Sequence, residues 1–594
     1  MNIAVKTPIA ATKIPKESPL LLPDLRTTPK PAPLAPEALD RRLHVWQSNF
    51  TGGWSPSTVG MACLDWAVHA ANRPFEMLAM AGEALKLVQR LSEAAVKKEK
   101  IITPPSYDRR FAEAAWQRPP YDLLVQAVLL GEEWAMNLVK NPGGVSKASE
   151  RIVSYCVRQM LDLMSPSNNP WLNPEVIEAA RAMGGANFVE GLQNFLADLA
   201  AEQGPVAESG FRVGGNLAVT PGKVVFRNAL MELIQYMPTT PTVEAEPVLI
   251  VPAWIMKYYI LDLSPRNSLV RWLVAQGRTV FMISWRNPVA DMKDTSLDDY
   301  RDQGVRAAVE VVRGICGDRK IHAAGYCLGG TLLSIAATAM AIHKKDYFTT
   351  LTLLAAQTDY SEAGELQLII SEDQLDFLND LMETQGGLSS VQMSSAFKML
   401  RTNNLVWSKI IHEYWIGKRE PPNDLMAWDA DGTRLPTRMH IEFLRGLYLN
   451  NDLAEGRFRV KGHQLVLGDI SLPMFLVGTE TDHVAPWHSV FKMHALNEEE
   501  MTFVLTSGGH NAGIVSEPGH PRRHYRIRTR PEGGPSLGPD EWEHDTPPKD
   551  GSWWPEWAAW LKQHSSGGLI EPPRVGSSKF SPLCDAPGTY VLEK

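Results

Sequence analysis

Cysteine is scarce, with five in 594 residues: Cys63, Cys156, Cys316, Cys327 and Cys584. The odd, scattered set shows neither a disulfide framework nor metal-ligand spacing, and a reducing interior is the better match. No uninterrupted apolar stretch approaches the roughly 18 residues that suggest a spanning helix. Excess basic charge is missing as well. The formal net charge is -8, which gives no general affinity for nucleic acid or anionic lipid. The opening MNIAVKTPIAATKIPKESP has no apolar core and is interrupted by proline, so export by a signal peptide is not expected. These absences favour a cytoplasmic protein, with a granule or droplet surface as the alternative. What remains is ordinary globular composition, 44% hydrophobic and 21% charged, in a chain too long for one core.

Residues 1–36 are rich in proline among Lys, Thr and Ala and read as a disordered or extended tail. From 37 to 240 the pattern is that of a helical N-terminal domain. Leu39, Leu43, Trp46 and Phe50 form one helical stripe, and Leu78, Ala81, Leu85 and Val88 another; both are expected to pack on other helices or on the next domain. From 241 to 594 short apolar runs alternate with helical stretches. The runs are Pro247–Ile255, Thr279–Ser284, Ile321–Gly325, Leu351–Ala356, Met474–Val477 and Phe503–Thr506. Continuous apolar strands separated by helices predict a parallel sheet covered on both faces. The mostly helical stretch at about 361–460 falls between the fourth and fifth runs, where an insertion makes a cap over the carboxyl ends of the strands.

The sharpest local signal is Gly325-Tyr326-Cys327-Leu328-Gly329-Gly330, between an apolar run and a helix-forming stretch. A nucleophile elbow needs this arrangement, because small residues flanking a strained strand-to-helix turn let the nucleophile project above the sheet. The helix N-terminus behind it favours thiolate, and the Leu328 N–H is placed for an oxyanion. The competing reading is a buried structural cysteine in a tight turn. An α/β-hydrolase fold then places its acid and its histidine later in the chain. Asp482 follows the run Met474–Val477, and His510, flanked by glycines, follows Phe503–Thr506. Glu480 is the rival acid and His483 the rival base. A thiolate is matched to a thioester, since sulfur-to-sulfur acyl transfer is nearly isoenergetic. Acyl transfer is therefore favoured over lipid ester hydrolysis.

Several blocks are more distinctive than the fold requires. They are Thr51-Gly52-Gly53-Trp54-Ser55-Pro56, Lys257–Leu263, Ser284-Trp285-Arg286-Asn287-Pro288, Gly325–Gly330, Trp428–Pro436 and Asp482–Trp487. In these blocks, over about 38–520, the chain resembles the polyhydroxyalkanoate synthases, granule-associated polymerases of 3-hydroxyacyl groups, and among them the single-subunit kind. The resemblance implies polymerisation of (R)-3-hydroxyacyl-CoA, short-chain units such as 3-hydroxybutyryl included, with release of CoA. Cys327 would carry the acyl group and His510 act as general base. Asp482 would assist His510 or help deprotonate the 3-hydroxyl of the incoming unit. No cofactor is implied, acyl-CoA being the substrate. Implied partners are the growing polyester, the granule surface with phasin-type proteins, and a second copy in a homodimer whose cap gates the cysteine.

The family's Pro-Pro-x-x-Asn loop here reads Pro252-Ala253-Trp254-Ile255-Met256. Its backbone is expected to supply the second oxyanion N–H at Trp254, while the loss of the usual Asn and the bulk of Trp254 bear on the acyl pocket. The basic stretch at 520–530 reads as a solvated loop or as a contact for CoA phosphates. Trp553, Trp557 and Trp560 share one helical face, expected to pack on the catalytic domain, with contact to polymer or a partner subunit as the alternative. Two other readings compete with the synthase. One is a cysteine-dependent hydrolase, such as a thioesterase or polyester depolymerase, and the other a non-catalytic granule-coating protein.

Overall fold

The computed structural model describes residues 36–97, 100–104, 108–140, 142–200, 210–400 and 402–594. The tail expected over 1–36 lies outside these apart from Pro36. All six apolar runs are strands: β3 (Val248–Val251), β4 (Val280–Trp285), β5 (Ile321–Tyr326), β6 (Phe348–Leu354), β7 (Met474–Thr479) and β8 (Met501–Thr506). They pair in parallel. Each is mostly apolar on both faces because it feeds two cores. Leu249 and Val251 face one core while Val248 and Ile250 face the other, and Phe281 and Ile283 are opposed to Val280 and Met282 in the same way. The alternation is that of any strand; only the polar face is missing.

The sheet is mixed rather than purely parallel. Antiparallel strands β1 (Gly222–Arg227) and β2 (Met231–Tyr236) extend it beyond β4, and β9 (His524–Arg530) and β10 (Lys549–Asp550) extend the opposite edge. With β11 (Cys584–Asp585) on β1, the eleven-stranded order is β10-β9-β8-β7-β6-β5-β3-β4-β2-β1-β11. The helical pattern read to residue 240 therefore stops too late. Val224, Val225 and Phe226 are β-formers, and β2 is buried along its whole length because β4 and flanking segments cover it. The basic stretch is likewise a strand in most of its length. Arg530 donates from both terminal nitrogens to the carbonyls of His494 (2.6 Å), Asn497 (2.7 Å) and Glu499 (2.9 Å), and Arg526 bonds the Thr546 carbonyl.

The N-terminal helices include Pro36–Thr51, Pro56–Ala71, Pro74–Lys97, Tyr121–Val139, Lys147–Met164 and Ala186–Ala200. Proline opens the first three, at the position where its missing N–H costs nothing. The expected packing of the two apolar stripes is not what the structure shows: Leu39, Leu43, Trp46, Phe50, Leu78, Leu85 and Val88 are exposed. The helices dock onto the insertion between β6 and β7 through other apolar residues, such as Val176 on Ile411 and Ile416, and through polar groups. Asp373 of helix Glu372–Gln385 accepts from Ser55 (2.5 Å), Ser57 (2.8 Å) and Thr58 (2.6 Å). His44 pairs with Asp380 at 2.8 Å. Asp198 meets Lys409, Tyr414 and Arg419, each at 2.7 Å.

Helix Trp554–Gln563 closes the second core. Trp553, Trp554, Trp557 and Trp560 are all buried there, and Trp557 Nε1 donates to Thr352 Oγ1 of β6 at 3.0 Å. Packing on the catalytic domain, not display to solvent, is their use.

Candidate active site

Cys327 sits between β5 and helix Leu328–Ile342 with φ +53° and ψ -128°. That conformation is strained for a residue with a Cβ. Its own N–H holds it, donating to the Leu354 carbonyl at 2.9 Å, while its carbonyl accepts from Gly330 N at 2.9 Å. The flanking glycines are required by space. A Cβ on Gly325 would lie 2.7 Å from Gly330 N, and one on Gly329 would lie 2.5 Å from the Pro252 oxygen. Close backbone contact thus brings β5, the helix start and the loop after β3 together, leaving the thiol at their meeting point.

The loops after β7 and β8 bring Asp482 and His510 to the same place. His510 Nδ1 lies 2.7 Å from Asp482 Oδ2, and the imidazole is close enough to Cys327 for charge on the sulfur to act on it. Asp482 is anchored on its far side, Oδ1 accepting from Val484 N and Ala485 N at 2.8 Å each, and Oδ2 also accepts from Thr479 Oγ1 at 3.0 Å. The side chain of Asp482 is fully buried and that of His510 one-tenth exposed (0% and 10%). Burial works against charge on His510, but the Asp482 carboxylate and the Cys327 sulfur outweigh it and hold its pKa well above the usual imidazole range. Burial likewise opposes ionisation of Asp482, and His510 with the Ala485 and Val484 N–H groups keeps its carboxyl below the usual range. Glu480, the rival acid, pairs with His524 at 2.9 Å. Of the two candidate bases, His510 is the one found between Asp482 and Cys327.

The site is lined by aromatic residues, most of them outside the local motifs. Tyr326 lies tilted beside His510, with ring centroids 5.6 Å apart, and donates from its hydroxyl to Asn511 Oδ1 at 2.7 Å. Tyr360 and Tyr448 are buried close enough for a charge on Cys327 to raise both phenol pKa values, behind the larger effect of burial. Their rings lie 4.6 Å apart, Phe443 stands 5.6 Å from Tyr448, and Trp254 stands 5.5 Å from Phe443. Phe443 and Tyr448 belong to the insertion, so the cap closes the space around the thiol. Cys327 is 6% exposed. Tyr326 and Asn511 adjoin candidate residues and could have been suspected on that ground; Tyr360, Phe443 and Tyr448 are distant in sequence and carry no comparable signal.

Leu328 opens the helix behind Cys327, so its N–H belongs to the turn that has no intrahelical acceptor. Trp254 is buried in the core beside Tyr300 and Phe443. The loop that carries it is gripped by the cap. Trp254 O accepts from Thr433 Oγ1 at 2.8 Å, Lys257 O accepts from Trp428 Nε1 at 2.7 Å, and Met256 bridges Gly432. The departure at Met256 therefore sits in a main-chain pairing that does not depend on the side chain.

Three known-family descriptions match the chain: "Poly-beta-hydroxybutyrate polymerase N terminal" over residues 34–75, "Poly-beta-hydroxybutyrate polymerase (PhaC) N-terminus" over 107–273, and "alpha/beta hydrolase fold" over 246–517. A poly(3-hydroxyalkanoate) polymerase of Methylorubrum extorquens is 40% identical over 504 residues, covering 84% of this chain and 82% of its own. A poly(3-hydroxyalkanoate) polymerase subunit of Cupriavidus necator is 33% identical over 575 residues, covering 95% and 96%. With relatives this similar matched over most of their length, and an α/β-hydrolase domain beneath a helical cap, the chain belongs to the poly(3-hydroxyalkanoate) polymerase family of acyltransferases.

Proposed function

We propose that this chain polymerises (R)-3-hydroxyacyl groups, short ones such as 3-hydroxybutyryl among them, from coenzyme A thioesters, with Cys327 as the acyl carrier. The observation that carries the proposal is the strained Cys327 beside an imidazole whose Nδ1 is held by Asp482. His510 takes the thiol proton, the sulfur attacks the thioester carbonyl, and the oxyanion is met by the N–H groups of Leu328 and Trp254. The C–S bond to CoA breaks, and the leaving thiolate takes the proton from His510. The 3-hydroxyl of a second 3-hydroxyacyl-CoA then gives its proton to the imidazole and attacks the acyl-enzyme; the ester forms, the acyl–sulfur bond to Cys327 breaks, and the freed thiolate takes the proton back from His510. The chain, one residue longer and still a CoA thioester, is transferred to Cys327 again by the first step. Asp482 orients His510 and stabilises the imidazolium.

A buried, aromatic-lined thiol supports polymer growth over hydrolysis, because excluding water protects an acyl-enzyme from it. No helix among the described residues is long and apolar enough to cross a membrane. The exposed apolar stripe Leu39, Leu43, Trp46 and Phe50 supports residence on the polyester granule. The family resemblance adds a homodimer, which the molar mass in solution checks. Purified protein given (R)-3-hydroxybutyryl-CoA should release CoA and form insoluble polyester. CoA release with only free hydroxy acid would instead make it a thioesterase.

A further inference from the structure

The last residues of the chain lie against the loop that carries Trp254. Lys257, at the end of that loop, is 3% exposed. Its ammonium donates to the main-chain carbonyl of Glu593 at 2.7 Å and lies 3.5 Å from that of Tyr590. The terminal segment is in turn pinned to the sheet: Glu232 accepts from Thr589 N (2.9 Å) and Tyr590 N (3.1 Å), and the Tyr590 hydroxyl donates to Asn228 O at 2.7 Å. Glu593 also accepts from Asn287 N at 3.2 Å and pairs with Arg286 at 3.4 Å.

The cap holds the same loop from its other side, through Thr433 on Trp254 O and Trp428 on Lys257 O. Cap and tail meet each other where Lys594 approaches Asp431 at 3.6 Å, and the cap also reaches the segment after β4, Arg434 N donating to Asn287 Oδ1 at 2.9 Å. Lys257, Arg286, Asn287, Trp428 and Asp431 thus converge on one node from three separate segments of the chain. None of the hydrogen bonds or ion pairs found for them reaches Cys327.

A buried ammonium bonded to main-chain carbonyls is a demanding device, since it costs desolvation and is worth having only where geometry must be fixed. The group that needs fixing here is the Trp254 N–H, three residues before Lys257. We infer that Lys257 is a positioning residue for acyl transfer: by locking onto the Glu593 carbonyl it holds the oxyanion loop at the carboxyl ends of β3 and β5 with the Trp254 N–H aimed at the developing oxyanion. This rests on the polymerase reading above.

The test compares two reactions of the same thiol in the full chain. Acylation of Cys327 by (R)-3-hydroxybutyryl-CoA passes through an oxyanion, whereas alkylation by iodoacetamide displaces iodide and forms none. Lys257→Met, and separately removal of Glu593 and Lys594, should each slow acylation at least 10-fold, toward the roughly 100-fold or greater loss expected when an oxyanion donor is misplaced. Alkylation should stay within about twofold of the unsubstituted protein. The doubly altered protein should be no more than about twofold worse than the poorer single one, because the truncation already includes the link that Lys257→Met breaks. Unchanged acylation in either variant overturns the inference. So does a parallel fall in both reactions, which would mean general disorder at the site, and so do losses that multiply. If the unaltered protein never acylates, the polymerase reading falls and this inference with it; normal acylation there and in Lys257→Met removes this inference alone.

Discussion

The imidazole of His510 and the carboxylate of Asp482 meet at 2.7 Å in a buried site, and the carboxylate is held so that it does not turn away. Its Oδ1 is held by two backbone N–H groups and its Oδ2 by Thr479 and the imidazole. Replacing Asp482 by Asn keeps the shape but removes the charge and can present an N–H to Nδ1. The His510 pKa, raised by that carboxylate, should then fall toward or below the usual 6.5 or so. CoA release should drop about 10³- to 10⁴-fold, as when a triad histidine takes the wrong tautomer. An NMR titration of His510 beside the rate measurement checks both.

The sign of the accompanying stability change is fixed by the same shift. A histidine whose pKa is raised on folding stabilises the protein fully below its unfolded value and loses that contribution as pH rises through the folded value. The stability difference between the protein and its His510→Gln variant should therefore be largest in mildly acidic solution and shrink as pH climbs above neutrality. Chemical denaturation at a series of pH values measures it.

Gly329 tolerates no side chain, because a Cβ there would lie 2.5 Å from the Pro252 oxygen and crowd the Val251 carbonyl. Both contacts are backbone and cannot swing aside. Gly329→Ala should destabilise the chain by about 1–3 kcal/mol and lower activity more than stability alone accounts for, since the displaced strand end leads directly to Trp254. Thermal unfolding and CoA release, measured together, test this.

Trp553 supports the catalytic loop from behind. Its ring is fully buried and its Nε1 donates to the Gly513 carbonyl at 3.1 Å, three residues past His510; Trp554 does the same for Ile514 at 3.0 Å. Trp553→Phe keeps most of the apolar area and removes the donor, leaving a buried carbonyl unpaired at a cost of about 1–3 kcal/mol. A lower unfolding midpoint and faster amide exchange at 511–514 are the expected results.

Asp373 joins the N-terminal helices to the cap through Ser55, Ser57 and Thr58. Those hydroxyls hold its carboxyl below the usual range against the opposing effect of burial, so its contribution is present above about pH 4 and is lost as pH falls through its folded pKa. Asp373→Ala should loosen the docking at neutral pH. Limited proteolysis within residues 51–56 should accelerate in the variant, with little change inside the sheet.

What could be read from the sequence was whatever is decided locally. The six parallel strands announce themselves because both faces of each are buried, and the elbow because Gly325, Gly329 and Gly330 must stand within a few residues of Cys327. Asp482 and His510 were legible as loop residues at strand ends. The antiparallel edges were not: Arg526, Arg528 and Arg530 alternate along β9 in a pattern that a charged loop shares, and only the carbonyls of His494, Asn497 and Glu499 explain why Arg530 is buried. The stripe through Leu39 and Trp46 has true helical spacing, yet what it faces is not encoded in that spacing. The node at Lys257 was invisible because its partner, Glu593, lies 336 residues away.

Everything proposed for the chemistry passes through the Cys327 sulfur. The most direct measurement is intact-mass and peptide-mass analysis after brief exposure to (R)-3-hydroxybutyryl-CoA, alongside the Cys327→Ala variant. The account predicts hydroxyacyl mass on the peptide bearing Cys327, CoA released in step with it, and neither in the variant. A variant that still released CoA and built polymer, or an acyl group carried on another residue, would contradict it.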